Sequence, residues 1–243
     1  MDTIPVEDLD TAIEQYKALG YRLDMIFPAD NPREAVVSRG GESVQLVLEN
    51  HPVGETSAPL LRKEGSWIKG RAGMEYRDLI PDRMGGKVIA SHIRLTTGGE
   101  VPDYVHYHKI DFQMIYCLKG RIKVVYEDQG GSFWLETGDC VLQPPEIRHR
   151  VLECEANSEV IEITMPAEHE TWVEHDITLP TDELKPDRDF GGQRFFVTSL
   201  RTADPAFPNE TTCEEFAERM KSVITPDEIL DAVIDVSRSL CRM

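Results

Sequence analysis

The order of apolar and polar residues predicts a helix followed by strands at the start of the chain. Apolar residues recur at helical spacing at Leu9, Ala12, Ile13, Tyr16 and Leu19. Asp8 is placed to cap this helix, and Gly20 to end it. Strand-like runs follow at residues 21–27, 34–38 and 43–48, and residues 3–6 could form a short strand before the helix.

Residues 74–180 are dense in short strand-like segments. Eight candidates cover residues 87–95, 106–110, 113–118, 121–127, 132–136, 140–143, 149–152 and 159–165. Turn signals such as Gly98-Gly99, Gly130-Gly131 and Pro144-Pro145 separate them. Closely spaced strands without intervening helices are typical of an antiparallel sandwich or barrel, so the chain is predicted to be mainly β.

Two segments flank this strand-rich region. Residues 51–73 have the Pro, Gly and charged composition of a connector. Residues 181–243 contain one strand candidate, at 193–198, and two capping-box helix starts, Thr212 with Glu215 and Thr225 with Glu228. We expect a C-terminal helical hairpin that packs on the β-domain or on a neighbouring molecule.

Composition excludes several classes of function. The chain has 243 residues, with 26 Lys and Arg against 44 Asp and Glu, a net charge of -18. No basic stripe is present to bind nucleic acid, and no apolar run approaches the roughly 20 residues of a membrane span. Five cysteines without a close-spaced pair, and no signal-like start, predict reduced thiols in the cytoplasm.

Three histidines and a glutamine form the most informative pattern. His106 and His108 stand two apart in a predicted strand, so both imidazoles lie on one face. Gln113 lies on the next strand candidate, and His149 follows Pro144-Pro145. A barrel that brings these strands together would gather three imidazole nitrogens and an amide oxygen, a donor set suited to a divalent transition metal.

The spacing of these residues resembles the two motifs of the cupin superfamily, G-x5-H-x-H-x3,4-E-x6-G and G-x5-P-x-G-x2-H-x3-N. The matching residues are Gly99, His106, His108, Gln113, Gly120, Gly138, Pro144 and His149. The resemblance implies a double-stranded β-helix (jelly roll) barrel of the RmlC-like type over residues 74–180. It also implies one metal ion, with His106, His108, Gln113 and His149 as the ligands.

The chain departs from the cupin pattern at four positions, and the first is Gly99, which lies one residue too far from His106 and is a tolerable loop insertion. Gln113 replaces the usual Glu, Glu146 stands where a turn glycine is usual, and Glu153 replaces Asn. Because a non-glycine residue avoids positive φ, Glu146 predicts an altered turn. A neutral Gln113 leaves the ion its full charge, which favours an anionic chelating substrate. Gln113 either ligates the metal or donates a hydrogen bond to a ligand on it.

Four further residues are candidates for substrate binding. Tyr104 shares strand parity with His106, and Cys117 shares the inward face with Gln113 as a wall of the pocket. His92 and Arg94 lie on one face of the first strand candidate, and they are either pocket groups or rim groups. The sequence does not choose among Fe, Ni, Zn, Cu and Mn.

The first fifty residues resemble one βαβββ module of the vicinal oxygen chelate (glyoxalase-like) superfamily. The resemblance rests on the Asp8–Ile13 segment, on Tyr16, and on Leu19-Gly20-Tyr21. Because the first strand offers no His, we expect no metal here and a structural or dimerising role. A lone module leaves a sheet edge uncovered, so we expect it to pack on a second subunit in a homodimer.

These patterns favour a mononuclear non-haem metal enzyme, a dioxygenase-like oxidoreductase that acts on a small chelating, oxygen-rich metabolite. Two alternatives stay open. One is a non-catalytic cupin that binds or senses a small ligand, and the other is a metal-dependent isomerase or hydrolase.

Overall fold

The computed structural model describes residues 1–49, 67–69, 73–80 and 82–199. Two helical segments occur in these residues, α1 (Leu9–Ala18) and α2 (Arg83–Gly86). The strands, numbered along the chain, are β1 (Asp2–Val6), β2 (Arg22–Phe27), β3 (Glu34–Arg39), β4 (Glu42–Leu48), β5 (Ile68–Lys69), β6 (Glu75–Asp78), β7 (Ile89–Leu95), β8 (Gly99–Glu100), β9 (His106–His108), β10 (Phe112–Lys119), β11 (Arg121–Tyr126), β12 (Phe133–Glu136), β13 (Asp139–Leu142), β14 (His149–Cys154), β15 (Ser158–Met165), β16 (Thr171–Val173) and β17 (Phe196–Ser199).

The N-terminal elements follow the predicted order, and their bounds differ by only one or two residues. The Asp8 carboxylate accepts a hydrogen bond from the backbone N–H of Thr11 at 2.7 Å, and Gly20 after the helix has a φ of 85°. Helix α1 packs its apolar face on β3 and β4 in a cluster that includes Ile13, Val37 and Leu46. The described elements thus follow one another in the order β-α-β-β-β, with Asp8 as the N-cap of the helix.

The first sheet joins the N-terminal elements directly to the strand-rich region. Its strand order is β1-β4-β3-β2-β16-β9-β14-β11-β12, with β8 paired to β14. Thr171 and Trp172 of β16 pair with Ile26 and Met25 of β2. The edge of the module that was expected to need a second subunit is thus covered by a strand of the same chain.

A second sheet lies against the first, with the main core between them. Its order is β17-β13-β10-β15-β7-β6-β5. Buried apolar residues from both sheets form one cluster, among them Ile93, Leu95, Cys117, Val141 and Val160 from the second sheet and Ile122, Val124, Tyr126 and Leu135 from the first. The predicted fold class, mainly β, is confirmed, and none of the helices in the described residues is long and apolar enough to cross a membrane.

The C-terminal prediction is tested only in part. The strand expected at 193–198 is β17 (Phe196–Ser199), which pairs with β13. The two helices expected from Thr212 and Thr225 lie outside the described residues, and so does most of the connector at 51–73.

The turn before His149 differs from the one expected for a non-glycine residue at position 146. Glu146 has a φ of 58°, so this residue adopts the left-handed conformation that the sequence argument assigned to glycine alone. Its backbone N–H donates to the carbonyl of His108 at 3.1 Å, which ties the turn to β9. The surrounding structure holds the turn despite the unfavourable residue type.

Replacing Glu146 with glycine should therefore stabilise the protein by about 1 kcal/mol, because the left-handed penalty of a side chain disappears. Urea unfolding should show a higher midpoint with an unchanged slope. Asn157 is the matched control, since its φ is 61° and asparagine tolerates this conformation well. A Glu146→Gly gain no larger than that of Asn157→Gly would contradict the interpretation.

Candidate metal centre

Two paired strands place three histidines side by side. His106 and His108 come from β9, and His149 of β14 is the cross-strand partner of His106. The alternation of β9 turns Tyr107 to the other face, where its ring lies 4.4 Å from the Arg148 guanidinium. All three imidazoles are buried, with 1%, 7% and 7% of their surface exposed.

The three rings converge on one point. Their centroids are 5.0 Å apart for His106 and His108, 4.2 Å for His106 and His149, and 5.2 Å for His108 and His149. One ring nitrogen of each lies within 4.8 Å of the others. This spacing allows the three nitrogens to share one ion after small side-chain movements.

Hydrogen bonds at Nδ1 leave the other ring nitrogens as the lone-pair donors. Nδ1 of His106 lies 2.8 Å from the Tyr104 carbonyl, and Nδ1 of His149 lies 2.9 Å from the Ile147 carbonyl. Because a carbonyl only accepts, both Nδ1 atoms carry the proton. Nδ1 of His108 lies 2.8 Å from the Thr171 hydroxyl. Because metal-binding imidazoles are oriented by a hydrogen bond at their other ring nitrogen, the donor set fits a divalent metal ion.

A pair of glutamines completes one side of the centre. Gln113 of β10 and Gln143, which follows β13, are each 1% exposed. The Gln143 amide nitrogen donates to Oε1 of Gln113 at 2.6 Å and lies 3.2 Å from Nε2 of His149. Gln143 therefore contacts the ring nitrogen that faces the site. The sequence motifs give Gln143 no role, although it shares strand parity with Val141, which is completely buried.

A fourth histidine lies against the centre. The His169 ring contacts the His108 ring edge-on, with centroids 5.3 Å apart, and only 5% of His169 is exposed. His169 lies outside the sequence motifs, which give no sign that it is buried here. Burial lowers the pKa of His169 more strongly than its hydrogen bond with the Pro166 carbonyl raises it, which favours the neutral imidazole.

Aromatic side chains close the interior beneath the histidines. The Tyr126 ring stacks on His149, with centroids 5.6 Å apart and planes inclined by 22°. Phe195 covers the same tyrosine, with ring centroids 4.5 Å apart. Burial raises the pKa of Tyr126, as does the Glu162 carboxylate to a smaller extent, so the phenol keeps its proton. These rings give the site an apolar wall, while the buried Asp103 carboxylate lies 3.6 Å from Nδ1 of His106.

Two of the candidate substrate-binding residues lie on the interior side. The Tyr104 ring is 5.7 Å from the His106 ring, edge to face. Cys117 is completely buried in the core between the sheets, and Ile115 beside it packs on the same core. It lies four residues along β10 from Gln113, about 13 Å away. Tyr104 therefore borders the centre, and Cys117 lies deeper in the core.

The other two candidates lie on the opposite face of β7. Ile93 and Leu95 face the core between the sheets, which turns His92 and Arg94 outward. His92 lies 2.7 Å from Glu159, and the Arg94 guanidinium lies 3.9 Å from the centre of the Trp67 ring. The structure does not bring these two residues to the three histidines.

Comparison with known families agrees with this geometry. Residues 91–164 match the family model described as the cupin domain. The segment contains β9, β10 and β14, and with them the three histidines and both glutamines. No curated protein matches the chain.

Several solved structures are similar to part of the chain around the cupin domain. They include KdgF from Halomonas sp., at 20% identity over 42% of this chain and 87% of that one, with a TM-score of 0.35. An RmlC-like cupin from Shewanella frigidimarina has 24% identity over 42% of this chain and 84% of that one, with a TM-score of 0.35. A variant of oxalate decarboxylase from Bacillus subtilis has 20% identity over 39% of this chain and 25% of that one, with a TM-score of 0.31.

Proposed function

We propose that the cupin domain binds one divalent transition metal ion through His106, His108 and His149 and acts as a mononuclear non-haem metal enzyme. Its substrate would be a small, chelating, oxygen-rich anion, and its reaction would be dioxygenase-like. The observation that carries the proposal is the convergence of three buried imidazoles, with one ring nitrogen of each within 4.8 Å of the others.

The donor set supports a catalytic centre over a structural one. A structural site is more often closed by four strong ligands, whereas three imidazoles leave positions open for a substrate. A divalent ion held here would supply Lewis acidity and, if redox-active, a route for electrons from the substrate to O2. Elemental analysis of the purified protein would identify the ion among Fe, Ni, Zn, Cu and Mn.

The chain's own residues would orient the substrate and keep water out. The neutral glutamines add no negative charge beside the ion, so an anionic substrate is not repelled from that side. Tyr126 and Phe195 provide an apolar wall that limits hydration of the site. In a dioxygenase both oxygen atoms of O2 enter the products, so no external reductant is needed.

Oxygen uptake tests the proposal. The Fe(II)-loaded protein should consume O2 with at least one member of a panel of diketones, enediols and catechols, and a His106→Ala protein should not. Tight ligand binding without any product, with every metal tried, would favour the non-catalytic binding or sensing alternative. Product formation in the absence of O2 would favour the isomerase or hydrolase alternative.

We also propose that residues 1–49 form a glyoxalase-like module with a structural role, and that the protein is a homodimer. The module holds the loop after β15, since Arg33 makes a bidentate ion pair with Glu168, with both N–O distances at 3.0 Å. Among the described strands β1 has a partner on one edge only, which leaves backbone groups available for a second copy. Light scattering that finds a uniform monomer would contradict the dimer.

A further inference from the structure

Gln143, whose amide nitrogen lies 3.2 Å from Nε2 of His149, carries a second hydrogen-bonding atom that has no partner. Its Oε1 atom is buried and has no hydrogen-bond partner in the described part of the chain, and the whole residue is 1% exposed. A buried amide oxygen without a partner is costly, and most such atoms in folded proteins are paired. The unpaired oxygen therefore indicates a missing donor at this position.

The hydrogen-bond directions around Gln143 are fixed by its neighbours. Because His149 carries its proton on Nδ1, its Nε2 atom is an acceptor, and the Gln143 amide nitrogen must be the group that faces it. The same nitrogen donates to Oε1 of Gln113. Both amide hydrogens are thus directed to acceptors, and the Gln143 oxygen is turned away from both of them.

Metal binding would change this arrangement in one respect. The Nε2 lone pair of His149 cannot serve both an ion and the Gln143 N–H group. One N–H of Gln143 would lose its acceptor at the edge of the metal centre, while Gln113 continues to hold the other. Gln143 would then present one N–H donor and the Oε1 acceptor to a ligand bound at the metal.

We propose that Gln143 is a substrate-binding residue, with Gln113 as the residue that positions it. Its ligand is an oxygen chelator that presents an anionic oxygen to the N–H group and a hydroxyl or N–H group to Oε1. The inference rests on the proposed metal centre and narrows its substrate class. An enediol, a catechol monoanion or an α-hydroxy acid has this combination, whereas a fully deprotonated dicarboxylate does not.

The test uses the full-length protein loaded with Co(II), whose visible absorption reports ligand binding without turnover. Acetohydroxamate is the probe, because it chelates through an anionic oxygen and carries an N–H group. The Gln143→Met variant should bind acetohydroxamate at least 10-fold more weakly, the loss expected when a hydrogen bond to a charged ligand is removed. Imidazole, a neutral ligand without an oxygen, should bind both proteins within twofold, and Gln15→Met, at an exposed position of α1, is the control variant.

Equal weakening of acetohydroxamate and imidazole would overturn the inference, because it would show general damage to the site. Unchanged acetohydroxamate binding would also overturn it, while leaving the metal centre itself intact. Failure of the unaltered protein to bind Co(II) would remove the proposed function instead. If Gln143→Met does not fold, Gln143→Glu is the substitute variant. Its carboxylate should raise the affinity for Co(II) and weaken the binding of acetohydroxamate. Acetohydroxamate binding as tight as in the unaltered protein would contradict the proposal.

Discussion

Replacing His108 with alanine should lower the affinity for a divalent transition metal by more than 100-fold. Removing a group that merely orients a ligand costs 10- to 100-fold in metal affinity, so the loss of a ligand itself should exceed that range. Thr171→Val should fall within the range, because it removes only the hydroxyl 2.8 Å from Nδ1 of His108. Elemental analysis and competition with a chromophoric chelator would measure the metal affinities of the unaltered protein, His108→Ala and Thr171→Val.

The control for this series is His175→Ala. His175 is exposed and makes its hydrogen bond with the carbonyl of Leu23, away from the three histidines. We expect metal affinity to be unchanged in this variant. Equal affinity of the His108→Ala protein and the unaltered protein would eliminate the three-histidine centre, whatever the behaviour of Thr171→Val.

Replacing Arg83 with methionine should destabilise the fold by about 3–5 kcal/mol, the cost of leaving buried charge uncompensated. The Arg83 guanidinium lies 2.6 Å from Asp30 and 3.0 Å from Asp78, and all three side chains are at least nine-tenths buried. Burial alone would lower the pKa of Arg83, but the two carboxylates outweigh it and raise the pKa. Denaturant unfolding would measure the loss.

Neutralising the Asp30 and Asp78 carboxylates together with Arg83 should recover most of the lost free energy of unfolding. In an Arg83→Met, Asp30→Asn, Asp78→Asn protein no buried charge of the cluster remains, and such replacements are often close to neutral. Lys17→Met, which breaks an exposed pair with Glu14, should change the free energy of unfolding by less than about 1 kcal/mol. A triple variant as unstable as Arg83→Met would show that packing, and not charge, explains the effect.

Most strands were predictable because local signals mark them. Each of the eight candidates in residues 74–180 corresponds to an observed strand, since alternation and Gly or Pro turns define short antiparallel strands. Strand β16 was not predicted, because three residues are too few to show a period. This strand nevertheless provides Thr171, the partner of His108.

The centre itself was predictable in part for the same reason. Strand parity places His106 and His108 on one face, and the resemblance to the cupin motifs implies that Gln113 and His149 join them. Gln143 and His169 were missed, because their position depends on how distant segments meet. His169 is buried where its carbonyl accepts from Ala29 of the N-terminal module, a contact between residues 140 positions apart in the sequence.

Backbone pairing from β2 through β16 to β9 joins residues 1–49 to the histidine-bearing strand within a single sheet. Because backbone hydrogen bonds and the Arg33–Glu168 ion pair attach the module, we expect no hinge motion of the module relative to the three histidines. Entry and exit of small molecules would then depend on brief movements of rim loops and side chains, and we expect the spacing of the three imidazoles to change little between the empty and filled states.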